Sequence, residues 1–424
     1  MNILLLGSGG RECALAWKLQ QSPLCDSLYI APGNAGTLAY GTNLPVSVTD
    51  FEAIKKICID KQIDILLPGP EDPLVEGIYD FFKADAELQH IIVAGPSKEG
   101  AQLEGSKAFS KKFMQRHNIP TAGYQEFNKD TFDQGIAYLQ QHNLPIVIKA
   151  DGLAAGKGVV IAQTHNEAII AFTQMIKEGQ FGNAGDKVVV EQFLDGIEMS
   201  VFVLTDGTYY ALLPEAKDYK RILEGDKGPN TGGMGAISPV PFADDVFMKK
   251  VTDRVILPTV KGLAAENITY RGFIFFGLIK VNNEPYVIEY NCRMGDPETE
   301  VVIPRLENDL VDLILKMSEG RLNEVIMQHS AQKACTVMLV SAGYPGSYEK
   351  GKVMTGFANT ENSLLFHAGT ANKGNEVVSN GGRVLAVTSL ANTLEDALEI
   401  SYKNIESISY DGKTYRKDIG YEFI

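Results

Sequence analysis

PIVIKADGLAAGKGV, residues 145–159, decides how this sequence reads. Apolar, β-branched residues at 146–148 and again from 159 mark two strands. Between them runs Asp151-Gly152-Leu153-Ala154-Ala155-Gly156-Lys157-Gly158. The stretch is like a P-loop but departs from it twice. Three residues, not four, separate Gly152 from Gly156, and Gly158 stands where Ser or Thr is required. With a strand on each side, it predicts a hairpin loop rather than a strand-to-helix cradle. A plain β-turn needs one or two glycines, not three around a lysine. Such a loop can fold over ATP phosphates, with Lys149 and Lys157 supplying charge.

Upstream, residues 2–95 alternate strand and helix: strands at 3–6, 28–30, 63–67 and 91–94, helices at 12–20, near 51–58 and near 74–82. Each strand runs into a Gly/Pro-rich loop, the pattern of a doubly wound parallel sheet with its crevice at the carboxyl ends. Gly7-Ser8-Gly9-Gly10-Arg11-Glu12 follows the first strand. It is not a dinucleotide fingerprint, because Glu12 holds the third glycine position and no acidic residue ends the second strand. The loop is either a tight turn or an anion site made of backbone N–H groups at a helix start.

Downstream, helices are expected at 130–142 and 166–178, a strand at 188–194, and a hairpin at 199–213 around Asp206-Gly207. Residues 214–241 have little periodicity, and a structureless segment of that length is usually functional or mobile. It holds Lys217, Asp218, Lys220 and Arg221, then the loop Asn230-Thr231-Gly232-Gly233-Met234-Gly235, either linker or site. A second hairpin at 273–291 closes in Glu289-Tyr290-Asn291. Side chains at i and i+2 share a strand face, so Glu289 and Asn291 can hold one Mg²⁺ through oxygen. Arg293, Asp296 and Glu298 follow. Glu191-Gln192-Phe193-Leu194 with Glu198 is either a surface acidic pair or the border of an adenine and its ribose. The chain after 322 reads as a small α+β unit.

Composition narrows the function. Lys and Arg total 39 against 53 Asp and Glu, a net charge of −14, which disfavours a nucleic-acid partner. Five scattered cysteines and six histidines without metal-site spacing point to reduced thiols and to a hard cation, if any. Neither a signal peptide nor a membrane span is expected, so the expected location is cytoplasmic.

Taken together, these pieces resemble the ATP-grasp superfamily and, within it, the phosphoribosylamine–glycine ligase family. The blocks are GSGGRE, APGNAG, LPGPEDPLV (67–75), AQLEGSKAFSK (101–111), PIVIKADGLAAGKGV, EQFLDG (191–196), KGPNTGGMGA (227–236), YNCRMGDPETE (290–300) and RKDIG (416–420). Their order covers essentially the whole chain. The resemblance implies a multidomain α/β and α+β fold. Its parts would be a substrate-binding doubly wound domain (1–100), an ATP-grasp domain (101–322, mobile lid about 121–190) and a C-terminal α+β domain (323–424). It implies that ATP, glycine and 5-phosphoribosylamine give glycinamide ribonucleotide, ADP and phosphate through glycyl phosphate, in purine biosynthesis. Mg²⁺ is the expected metal, with Mn²⁺ as substitute, and the chain would be a monomer or weak homodimer.

By the same resemblance, Lys107, Lys149, Gly152, Gly156, Lys157 and Gly158 would meet ATP phosphates, with Arg221 and Asn230 nearby. Glu191, Gln192, Phe193 and Leu194 would border the adenine, and Glu198 the ribose. Lys149, Arg221 and Arg293 would be catalytic. Gly9, Gly10, Arg11, Glu71, Asp218, Gly232, Gly233, Arg293 and Asp296 would face the substrates. Glu289 and Asn291 would bind the metal. Two departures fall near the substrates: Cys13 and Tyr219 each stand where the family usually has histidine. The rivals are another ATP-grasp enzyme, such as a carboxylase, or a non-catalytic nucleotide-binding regulator.

Overall fold

A computed structural model describes residues 1–152, 158–178 and 185–424. The N-terminal sheet is parallel, in the order Thr42–Asn43, Ser27–Pro32, Asn2–Gly7, Ile65–Pro68, Ile92–Val93. Successive side chains of the first strand point to opposite faces, and both faces are covered. Ile3 and Leu5 join one core, Leu4 and Leu6 another. The strand order reverses between Asn2–Gly7 and Ile65–Pro68, where a doubly wound sheet opens its crevice. The 7–12 loop and Glu71 lie at that point. The helix expected near 74–82 is instead two helices, Asp72–Glu76 and Ile78–Ala84, broken at Gly77, whose φ of +97° suits glycine.

Next comes a four-stranded sheet, Tyr124–Asn128, Lys187–Gln192, Ile146–Ala150 and Val159–Ala162. Helices Phe132–Gln141 and His165–Ile176 cover it through Phe127, Leu139, Ile148 and Phe172. Ile146–Ala150 and Val159–Ala162 pair antiparallel, Lys149 opposite Val159, as expected for two strands of a hairpin; residues 153–157 between them lie outside the described residues. A second sheet runs Tyr210–Leu212, Ile197–Thr205, Tyr270–Val281, Glu284–Asn291.

The stretch 214–241 is more ordered than its lack of periodicity suggested. It contains the short strands Lys217–Asp218, Arg221–Leu223, Lys227–Asn230 and Gly235–Ser238. Gly235–Ser238 pairs with Lys333–Ser341, so the segment is held by a sheet whose other strands follow residue 332. Strands this short carry no readable alternation. Gly235–Ser238 is held by a partner about a hundred residues away in sequence, Lys217–Asp218 pairs with it in turn, and Arg221–Leu223 with Lys227–Asn230 forms a local ribbon.

Candidate active site

One end of the site is built on lysines. Helix Lys107–Arg116 starts at Ser106, whose hydroxyl caps Phe109 N at 3.1 Å. Asp151, at the head of the glycine-rich hairpin, accepts from Ser106 Oγ at 3.1 Å and from Ala108 N at 2.7 Å. The hairpin is thus docked on the helix start, where Lys107 Nζ donates to the carbonyls of Gly152 (3.1 Å) and Asp151 (3.4 Å). One turn on, Lys111 meets Glu191 Oε2 at 3.1 Å, and Lys149 meets the same oxygen at 3.0 Å. Glu191 is 3% exposed, so the surface-pair alternative is overturned. Burial pushes its carboxyl up, but the two lysines together hold it below the usual range. Burial lowers Lys111 to about 8 against the pull of Glu191. Its second oxygen, Oε1, is buried without a partner among the described residues. Lys111 and Lys149 against the single carboxylate of Glu191 leave positive charge at this contact in an acidic protein, as a polyphosphate requires.

Beside it, Glu289 and Asn291 end the strand Glu284–Asn291 on one face. Glu289 lies opposite Gly277, where a Cβ would come within 3.0 Å of Glu289 Cγ, so the glycine gives the carboxylate room. Its charge acts on both Lys107 and Lys220. Asn291 Nδ2 donates to Glu104 Oε1 at 3.0 Å. Arg293 bridges Glu104 (2.7 Å) and Glu71 (3.2 Å). Burial would raise Glu71, yet Arg293 and Arg11 bring it down to about 2.

The side chains of 217–221 divide between the site and the C-terminal core. Lys220 lies 2.9 Å from Glu198 and 4.0 Å from Asp218, while Tyr219 is buried in the C-terminal core, its hydroxyl 3.1 Å from Glu422. Lys220 is half-buried, and against the desolvation that would lower it, Asp218, Glu198 and Glu289 raise it well above the usual lysine range. Burial, with Asp218 next, pushes Glu298 up to about 7; Ser200 Oγ donates to it at 3.0 Å.

At the other end, the backbone N–H groups of the 7–12 loop are partly satisfied from within. Gly9 N donates to Glu12 Oε2 at 2.6 Å, half of a capping box, and Arg11 N to Asp296 Oδ2 at 3.3 Å. The open anion cradle considered for this loop is thus partly filled by carboxylates of the chain itself. Glu300, fully buried, sits so close that a Cβ on Gly10 would fall 2.3 Å from its Oε1. Arg383, from the C-terminal part, ties this end together. It contacts Asp296 Oδ1 at 2.9 Å and the carbonyls of Asp296 and Gly232 at 2.7 Å each. Gly233, at φ +121°, packs where a Cβ would lie 2.3 Å from Pro297 Cδ. Cys13 is fully buried beside Phe366, Met338 and Ala386, and burial raises its thiol to about 12.

The fold therefore gathers Lys107, Lys149, Glu191, Glu198, Asp218, Glu289, Asn291, Arg293 and Glu71 into linked clusters, with Gly9, Gly10, Arg11, Gly232, Gly233 and Asp296 at the far end. Gln192 is exposed, and Phe193 and Leu194 are half-buried. Arg221 pairs with Asn230 across a two-stranded ribbon and donates to the Gly228 carbonyl at 2.7 Å. No hydrogen bond or ion pair among the described residues joins either to Lys149. Gly156 and Lys157 lie outside the described residues, while Gly158 accepts from Ala150 N at 2.8 Å.

Sequence reasoning missed Glu104, Lys111, Lys220, Glu300 and Arg383 as parts of the site. Two of these had signals: Lys111 follows Lys107 by four on a helix, and Lys220 comes two residues after Asp218, just past the end of its strand. Nothing local marks Glu104 or Arg383.

Three family descriptions match in order: the phosphoribosylglycinamide synthetase N domain over residues 1–104, its ATP-grasp (A) domain over 105–299 and its C domain over 334–422. The phosphoribosylamine–glycine ligase of Yersinia pestis is 47% identical over 430 residues, covering 100% of this chain and 99% of that protein. The crystal structure of the Thermotoga maritima phosphoribosylamine–glycine ligase superposes with a TM-score of 0.85 at 35% identity, over 99% of this chain and 100% of that one. The biotin carboxylase domain of a Hydrogenobacter thermophilus 2-oxoglutarate carboxylase, solved with MgADP, shares the fold alone. It gives a TM-score of 0.72 at 18% identity, over 97% of this chain and 91% of that one. This chain belongs to the phosphoribosylglycinamide synthetase family of ATP-grasp ligases, which use ATP with a divalent metal.

Proposed function

We propose that this chain ligates glycine to 5-phosphoribosylamine at the expense of ATP, giving glycinamide ribonucleotide, ADP and phosphate in purine biosynthesis. The observation that carries this reading is the end-to-end match to phosphoribosylamine–glycine ligases, in all three parts and in order. A glycine carboxylate oxygen attacks the γ-phosphorus, the bond to the β–γ bridging oxygen breaks, and ADP leaves. The amine nitrogen of phosphoribosylamine then attacks the glycyl carbonyl. The C–O bond to phosphate breaks, and the amine gives up a proton. Phosphoryl transfer needs positioned positive charge rather than an acid–base dyad, which fits the lysine-rich end.

In this reading Lys107 and Lys149 hold the phosphates, and the glycine-rich hairpin closes over them to exclude water from glycyl phosphate. Glu191 to Leu194 border the adenine. Glu198, paired with Lys220, lies toward the ribose, and Lys220 adds a cation beside Asp218. Arg221 and Asn230 reach the phosphates from the ribbon. Arg293, Glu71, Arg11, Asp218, Asp296 and the 9–10 and 232–233 glycines face glycine and the sugar phosphate.

Mg²⁺ fits Glu289 and Asn291. With Nδ2 committed to Glu104, Asn291 keeps Oδ1 for a hard cation. Among the described residues no cluster of three or more His, Cys, Asp or Glu forms a metal cage. In this reading the ion takes its remaining ligands from phosphates and water. When bound, Mg²⁺ neutralises charge developing on the transferring phosphoryl group. No helix among the described residues is long and apolar enough to cross a membrane. We take the chain to act in the cytoplasm, as monomer or weak homodimer.

ADP release with glycine and phosphoribosylamine, added separately and together, tests the reading. Release should require both. Faster release with bicarbonate and a biotin-like acceptor would replace it with a carboxylase.

A further inference from the structure

Glu104 is not among the candidate site residues read from the sequence, yet its side chain is only 4% exposed and takes donors from three consecutive residues. Oε1 accepts from Asn291 Nδ2 at 3.0 Å and from Arg293 Nη2 at 2.7 Å. Oε2 accepts from Cys292 N at 2.8 Å and from Cys292 Sγ at 3.1 Å. It stands on the short helix Gln102–Gly105, directly before Ser106 and the helix that carries Lys107 and Lys111. The carboxylate thus clamps the end of the strand Glu284–Asn291 to the start of the lysine helix.

We infer that Glu104 is a positioning residue that turns Asn291 Oδ1 toward the divalent metal and holds Arg293 toward the substrates. This rests on the metal assignment to Glu289 and Asn291. An Asn amide has two ends that packing alone barely distinguishes. Only a partner for its Nδ2 fixes which end meets the cation. The acceptor count makes a sharp demand. Each oxygen already receives two donors, so no orientation of a Gln amide is tolerated. Its NH₂ would confront either Asn291 and Arg293 or the two donors of Cys292. The isosteric substitution is therefore not conservative here.

The test is binding by the full-length protein, with Mn²⁺ as probe. Calorimetry with ADP is run with Mn²⁺ and again with chelator, on wild type, Glu104→Gln and Glu104→Asp. Loss of a partner that orients a ligand typically costs about 10- to 100-fold in metal affinity. We expect that loss for Mn²⁺·ADP in Glu104→Gln and a smaller one in Glu104→Asp. Binding of metal-free ADP should stay within about twofold, because the phosphate-facing lysines are untouched. Glu104→Asp keeps the charge and serves if Glu104→Gln does not fold. Wild-type affinity for Mn²⁺·ADP in either folded variant would overturn the inference. So would equal losses with and without metal, which would make Glu104 merely structural. If wild type itself showed no metal-dependent gain in ADP binding, the metal assignment would fall first.

Discussion

The lysine-rich end and the carboxylate-rich end of this site solve opposite problems. Around Glu191, two ammonium groups share one carboxylate oxygen, and among the described residues Lys107 donates only to carbonyls, so positive charge is left over for a ligand. Around Gly10, Glu12, Asp296 and Glu300 crowd a helix start, and Arg11 and Arg383 nearly balance them. The first end stands ready to receive phosphate. The second is largely satisfied before any ligand arrives, and its specificity must come from shape, from glycine clearances of about one atom. Charge left over and space left over are different resources, so substitutions should fail differently at the two ends.

The largest effect is expected where charge is the resource. Lys149→Ala and Glu289→Gln should each reduce turnover about 10³-fold, roughly 4 kcal/mol of transition-state stabilisation, while circular dichroism stays unchanged. Turnover above a tenth of wild type in a folded variant would remove that residue from the charge account.

Where space is the resource, Gly10→Val should collide with Glu300 Oε1, only 2.3 Å from the new Cβ. Overpacking of about 1–3 kcal/mol predicts a KM for phosphoribosylamine raised roughly 5- to 150-fold, with the KM for ATP within twofold. Glu300→Ala added to Gly10→Val should recover part of the loss. No recovery would mean that the valine meets substrate and not the carboxyl. A raised KM for ATP alone would make the loop nucleotide-binding and erase the contrast.

Between the two ends, Glu298 supplies a pH test. Its folded value is about 7 against 4.5 for an ordinary glutamate, so the folded state binds the extra proton. Its contribution is fully present below about pH 4.5 and is lost as pH rises through about 7. Glu298→Gln should flatten the stability decline across that window, measured by urea midpoints. An unchanged slope would mean that Glu298 does not hold the proton.

The smallest effect is expected at Cys13. Cys13→Ser should keep turnover within about twofold and cost about 1–3 kcal/mol of stability for a buried hydroxyl. Loss of turnover in a folded variant would give the thiol a role that its apolar surroundings do not suggest.

What the sequence determined by itself were features set by local rules. Alternating strands and helices with glycine loops announced the parallel sheet. Two apolar runs around Asp151–Gly158 announced the hairpin. The i, i+2 pair Glu289 and Asn291 announced a shared strand face. Each depends on a period or a spacing within about ten residues, which a linear chain displays. Tertiary structure alone decided that Glu104 grips residues 291–293, that Arg383 locks Asp296 to Gly232, and that 235–238 is stranded by a sheet partner near residue 335. It also decided that Glu191 is buried between two lysines and not exposed on an edge. These contacts join residues up to 189 positions apart. Side-chain burial and long-range hydrogen bonds exist only once the chain has folded back on itself, so no window of sequence contains both partners.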